Sequence, residues 1–181
     1  RRHALAAALA ITLTGRPRRA AAAVDDAVAA LLPPAFRPTG RVLTVSPDTN
    51  VATVLATARD GDAVVLGPGE HGGRAVLERR VAVIGAAAVA PGAATTAAGP
   101  GAAPTTCSLR WTTTAPYEST VDVRSPGCVV TGVAIAHASP SVANNYAVFV
   151  EGGADGFVLS NCAVTSATGT GVGVDAATVA L

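Results

Sequence analysis

From Arg41 onward the chain alternates brief apolar runs with turn-forming residues, and no run is long enough for an ordinary barrel strand. Val42-Leu43-Thr44-Val45 is a β-rich run closed by Ser46-Pro47-Asp48. Thr49 to Ala58 then changes period, with Val51, Val54, Leu55 and Ala58 on one face of a short helix. Asp48, Thr49 or Asn50 can cap its free N–H groups. Asp60-Gly61-Asp62 stops the helix, Ala63-Val64-Val65-Leu66 restarts a strand, and Gly67-Pro68-Gly69 breaks it. A further run, Arg80 to Ile84, ends at Gly85. Strands this short suit the rungs of a solenoid joined by tight turns. An amphipathic helix near the start can cover the open end, where unpaired strand groups would otherwise invite edge pairing.

An internal repeat supports the same reading. Residues 127–135 are GCVVTGVAI and residues 156–164 are GFVLSNCAV. Gly127 aligns with Gly156, Val129 with Val158, Val130 with Leu159, Ala134 with Ala163 and Ile135 with Val164. Each unit follows an alternating strand, Thr120-Val121-Asp122-Val123 in one case and Ala147-Val148-Phe149-Val150 in the other. A period of this order marks a one-dimensional stack with rungs about 4.8 Å apart. The pattern predicts Val121, Val123, Val129, Ile135, Val148, Val150, Val158 and Val164 pointing inward, and Asn161 at a turn. Residues 86–106, low-complexity Ala, Gly, Pro and Thr, are expected to loop out.

The segment VATVLATARDGDAVVLGPGEH, followed by RVAVIG, resembles the opening of the pectin-lyase-like superfamily. The resemblance implies an all-β fold, a right-handed parallel β-helix solenoid with a short N-terminal capping helix. Residues 144–174 are similar to the β-helix repeats of F-box-only-type interaction proteins, which implies a surface for protein binding. Residues 1–40 lack the Leu-Pro and Trp pattern of an F-box. Residues 69–85, GEHGGRAVLERRVAVIG, resemble an early motif of pectin methylesterases, without the later strand that carries their catalytic carboxylates.

The first forty residues differ in character. They hold six Arg against Asp25 and Asp26, whereas residues 41–181 hold seven Arg against ten acids. The solenoid part therefore has no basic patch of the kind a phosphate backbone requires, and no nucleic-acid partner is expected. Arg1-Arg2 and the apolar run Ala4 to Leu13 are signal-like, but Arg16, Arg18 and Arg19 follow where small neutral residues belong. The run is too short for a transmembrane span. We read residues 1–40 as an Ala/Arg-rich segment outside the solenoid, helical or signal-like, and residues 41–181 as the β-helix domain. The pattern stops at Leu181 in mid-repeat, so further rungs are expected beyond it. An intracellular location is favoured slightly, and a secreted one follows if residues 1–23 are a signal peptide.

Aromatics make up only 3% of the chain, so Val, Ala, Leu and Ile must fill the core. Cys107, Cys128 and Cys162 show no metal spacing, and Cys128 and Cys162 lie in strand-like runs as small buried hydrophobes.

Candidate chemistry is sparse. The surface candidates are Asp122, Arg124, Glu151 and Asp155, with Asp175 beyond them. Asp122 and Glu151 fall at equivalent repeat positions, so they are expected one above the other on the outer face. Such a pair would hold Ca²⁺ in a polysaccharide lyase, with an Arg as base; otherwise it is the solvated side of two strands. His71 reads as a loop residue after a Pro-Gly turn, and His137 ends a strand with no nucleophile motif around it. Gly169, Gly171 and Gly173 read as small outward strand residues rather than a phosphate loop. Trp111, Tyr117 and Tyr146 could line a sugar-binding surface. The sequence thus predicts no catalytic, cofactor or metal residues. It points to a non-enzymatic module that binds a protein partner. The alternative is a secreted polysaccharide-active or carbohydrate-binding protein, using Ca²⁺ only in that case.

Overall fold

The computed structural model describes residues 26, 28–30, 32–34, 36–86, 107–139, 145–167, 170–175 and 177–181. The signal-like residues 1–23, almost all of the 86–106 loop, and Gly169 lie outside this set.

Among the described residues fourteen short strands form three sheets in which every pairing is parallel. Sheet I stacks β1 (Val42–Val45), β2 (Ala63–Leu66), β5 (Ala82–Gly85), β8 (Val129–Thr131), β11 (Phe157–Ser160) and β14 (Val179–Ala180). Sheet II stacks β3 (Gly69–Gly72), β6 (Cys107–Trp111), β9 (Val133–His137) and β12 (Ala163–Ser166). Sheet III stacks β4 (Ala75–Leu77), β7 (Val121–Val123), β10 (Val148–Val150) and β13 (Val172–Val174). The chain visits sheets I, II and III in turn and then returns to I, which is the topology of a parallel β-helix. Parallel neighbours cannot be joined by a hairpin; from β2 onward two further strands supply each crossover, and between β1 and β2 a helix does.

The helix α1 (Val51–Thr57) follows β1 and packs against β4 and β1. Asn50 caps it, its Oδ1 accepting from the Ala52 N–H at 2.9 Å. Val51 and Leu55 enter the solenoid core. The Gly-Asp turn is held by Asp62, which is almost fully buried. Its carboxylate accepts from the backbone N–H groups of Arg41 (2.6 Å) and Arg59 (2.9 Å) and from the Arg41 guanidinium (2.7 Å). Burial alone would raise the Asp62 pKa, but these donors outweigh it and hold the carboxyl below its ordinary value. One side chain therefore ties the first coil to the second.

The repeat appears in the pairing register. Val158 lies over Val129, Leu159 over Val130 and Val164 over Ile135. The hydroxyls of Ser160 and Thr131, 29 positions apart, meet at 3.0 Å. Asn161 takes the left-handed bend at φ 52°, above Gly132 at φ 69°. At the same corner a side chain on Gly85 would place its Cβ 2.0 Å from the Gly132 carbonyl oxygen, so the rungs close only with glycine there.

The core is interior and apolar. Val121, Val123, Ile135, Val148 and Val150 point into it as expected, and Val164 packs against it. Val129 and Val158 do not. They face outward from sheet I, while Val130 and Leu159 take the inward positions. Outside sheet I a second apolar layer forms, in which Val28, Leu32 and Phe36 cover Ala63, Val65, Ala82, Ile84 and Val129. The Arg80 guanidinium lies over the Phe36 ring at 4.8 Å. Residues before position 41 thus pack on the solenoid wall. Because that wall is covered on both faces, β2 and β5 are buried along their whole length.

All three cysteines are free; Cys107 and Cys128 are buried and Cys162 is half-buried. His71 is not a loop residue. It sits inside β3, fully buried, and its Nε2 donates to the Gly67 carbonyl at 2.8 Å.

Candidate functional site: the outer face of sheet III

In β4, β7 and β10 the flanking residues point inward and the middle residue points out. Val76, Asp122, Phe149 and Gly173 are the middle residues, in direct register along the solenoid. Around this ladder gather a row of ion pairs and a stacked aromatic pair.

Asp122 sits at its centre and is 2% exposed, although it points away from the core. Two arginines cover it. Arg74 forms a close ion pair with the Asp122 carboxylate and reaches Glu118 at 3.6 Å. Arg124 lies 3.9 Å from Asp122, 2.9 Å from Glu151 and 3.4 Å from Glu78. The Thr113 hydroxyl donates to Glu118 and fixes the far end of the row. Burial pushes the Asp122 carboxyl above its ordinary pKa. Arg74 and then Arg124 oppose the shift, and Glu151 adds to it.

The expected stacking of Asp122 on Glu151 does not occur. Phe149 lies over Asp122, and Glu151 lies beside Arg124, 27 positions away. The coil is two residues shorter through sheet III than through sheet I, so an equivalence read from the sheet I match slips. Asp122, Arg124 and Glu151 nevertheless belong to one cluster. Asp155 is elsewhere, at an exposed turn before β11, where its Oδ1 accepts from the Thr178 N–H at 2.8 Å. That bond links its turn to the next coil. Among the described residues no three His, Cys, Asp or Glu side chains converge as metal ligands would.

Beside the ionic row lies an aromatic shelf. Tyr146 and Phe149 stack with ring centroids 5.2 Å apart and planes 23° apart. With Tyr117 and Ser119 they line a shallow cavity of about 230 Å³. Tyr117 is 71% exposed and is held at φ 62°, a left-handed backbone that a non-glycine residue adopts at a cost. Gly173 makes room for the pair: a Cβ there would lie 2.8 Å from Tyr146 Cε1 and 3.1 Å from Phe149 Cδ2. The sequence singled out Tyr117 and Tyr146, and the structure brings them together. Phe149 was missed as a surface residue, and its alternation with the inward Val148 and Val150 was the available signal. Trp111 does not line the shelf.

His137 lies at the inner end of β9, with Nδ1 3.2 Å from the Thr120 hydroxyl. The Thr120 hydroxyl is also 3.1 Å from the Ala136 carbonyl, to which it donates, so Nδ1–H is the donor of the His137–Thr120 contact. Burial lowers the His137 pKa. It is a core histidine and takes no part in the outer face. A second cavity, about 260 Å³, opens between α1 and β4, lined by Ala52, Leu55, Ala56, Arg74, Val76 and Glu78 among others.

No family model matches the chain, and no curated protein matches it either, so nothing supports the F-box-only likeness. Among solved structures, a mutant of the PL6 family alginate lyase AlyGC aligns with a TM-score of 0.46 and 15% identity, over 82% of this chain and 21% of that one. The chain thus spans about a fifth of the length of that solved protein. No helix of the described residues is long and apolar enough to cross a membrane. The parallel β-helix itself rests on the strand registers of this chain.

Proposed function

We propose that the chain is a non-catalytic, right-handed parallel β-helix module that binds a glycan on the outer face of sheet III. Right-handed crossovers are the rule for parallel strands joined within a fold. The observation that carries the reading is the gathering of Tyr117, Tyr146 and Phe149 around one cavity, in a chain with only six aromatic residues (Trp 1, Tyr 2, Phe 3). Sugar rings present flat C–H faces that pack on aromatic rings. Their hydroxyls need fixed partners, and the exposed carboxylates of Glu78 and Glu151 on the same sheet can accept from them.

Against catalysis stands the pairing of Asp122, Arg124 and Glu151 with one another and with Arg74 and Glu78. Arg124 is held by Glu151, Glu78 and Asp122, so its guanidinium is engaged with carboxylates of its own chain. Asp122 is enclosed between two arginines and is not placed as a general acid or base toward solvent. The reading in which the module binds a protein partner draws on the same shelf, because Tyr117 is the most exposed of its aromatics.

The test is affinity electrophoresis in gels containing each of a panel of soluble polysaccharides, comparing the wild type with Tyr117→Ala and Phe149→Ala. Retardation by at least one glycan, reduced about tenfold or more in both variants, supports the reading. Retardation that both substitutions leave untouched refutes it.

A further inference from the structure

We infer that the glycan bound at this face is uncharged, and that the ionic row beside the aromatic shelf excludes uronate polymers. The inference rests on the glycan reading above and narrows it to a ligand class.

Two features of the face carry it. First, the cavity wall holds no charged side chain. Tyr117, Tyr146 and Phe149 supply rings, and Ser119, almost fully buried, completes the lining. A sugar ring seated there finds stacking surface but no counter-charge. A ligand carboxylate would find no cation in this wall to pair with.

Second, both arginines of the ionic row are ion-paired, and Arg74 Nε, which has no partner, is buried away from solvent. Arg74 spans Asp122 and Glu118, and Arg124 spans Asp122, Glu151 and Glu78. A uronate carboxylate needs an arginine with spare donors. Here two guanidinium groups face four carboxylates, so an incoming anion meets net repulsion. Neutral hydroxyls carry no such cost and can share the outward lone pairs of Glu151 and Glu78, both substantially exposed. The row thus acts as a filter at the edge of a neutral-sugar seat.

The test compares three oligosaccharide probes of equal length by isothermal titration calorimetry: a neutral cello- or manno-oligosaccharide, an oligogalacturonate and a chitosan oligomer. The wild type is expected to bind a neutral probe at least tenfold more tightly than the oligogalacturonate. In the Glu78→Gln/Glu151→Gln double variant Arg124 is released from its two exposed partners. The ratio of oligogalacturonate to neutral affinity should then rise about tenfold, and the gain should fall away in 0.5 M NaCl. Circular dichroism and urea unfolding establish that the double variant is folded. If it is not, Glu151→Gln alone carries the same expectation at about threefold.

Equal or tighter binding of oligogalacturonate by the wild type overturns the inference while leaving the glycan reading intact. Preference for chitosan does the same, and would mean that the excess carboxylates are the recognition element. Failure of all three probes at millimolar concentration overturns the inference, and the glycan reading falls with it if no polysaccharide of the panel retards the protein.

Discussion

Replacing Arg74 by alanine strips the main counter-charge from a carboxylate that cannot reach water. The Asp122 side chain is 3% exposed and Arg74 covers it, itself 23% exposed. After the substitution the remaining cation is Arg124, 3.9 Å away and shared with two other carboxylates. Removing one partner of a buried pair costs about 3–5 kcal/mol. We expect about 3 kcal/mol at pH 7.5, the lower end, because Arg124 stays and the truncated side chain admits some water. Against a typical domain stability of roughly 5–15 kcal/mol this is a large loss. The carboxyl has one escape, which is to bind a proton. With Arg74 gone, its folded pKa rises further above the unfolded value of about 3.9. Between those two values the folded variant holds a proton that the unfolded chain does not, so the variant's deficit shrinks as pH falls, by at most about 1.4 kcal/mol per unit. Urea unfolding at pH 7.5, 6 and 5, followed by circular dichroism, measures both quantities. Adding Asp122→Asn to Arg74→Ala should restore most of the loss at pH 7.5, because the isosteric amide carries no charge to strand. A deficit under about 1 kcal/mol that is flat with pH would refute the reasoning. It would make the row an ordinary set of solvated surface pairs.

Three further outcomes are expected. Gly173→Val forces the Tyr146 and Phe149 rings off their seat, since even a Cβ would stand 2.8–3.1 Å from them; the near-ultraviolet tyrosine dichroism should change and stability should fall by about 1–3 kcal/mol. The Cys128 thiol, pushed up to about 11 by burial, should not react with a disulfide reagent at pH 8 until the chain is unfolded, and rapid labelling of the native protein at that residue would contradict its placement. His137 is held neutral by burial, with its folded pKa below the unfolded value of about 6.5. As pH drops through that range the unfolded chain takes up the proton first, so stability should fall from pH 7.5 to 5, and His137→Phe should flatten that part of the profile.

The fold was legible because a parallel coil repeats its demands. Gly127 and Gly156, Thr131 and Ser160, and Ala134 and Ala163 answer the same bends and wall positions one rung apart, and the observed register matches that alignment residue for residue. The facing of Val129 and Val158 was not legible, for a physical reason. On sheet I both faces are apolar, because Val28, Leu32 and Phe36 lie over the outside. A strand buried on both sides loses the alternation that tells inside from outside. Sheet III has an open face, and there Val121, Val123, Val148 and Val150 were placed correctly from the same kind of evidence. His71 was misread because the Pro-Gly turn before it suggested a longer loop, whereas β3 begins at Gly69 itself.

The site was legible only in fragments, and coil length explains why. Asp122, Arg124 and Glu151 were all named, yet the residue that buries Asp122 is Arg74, 48 positions earlier. The low-complexity stretch between β5 and β6 sits inside that interval, so nothing in local sequence signals the contact. Likewise Phe149 comes to lie beside Asp122 and over Gly173 because the coils of sheet III bring 122, 149 and 173 into one column. A coil one residue longer would have turned an inward valine outward at the same place. The chemistry of this face is therefore set by the spacing between rungs as much as by the residues on them. The same residues at other spacings would give scattered charges and three unrelated aromatics.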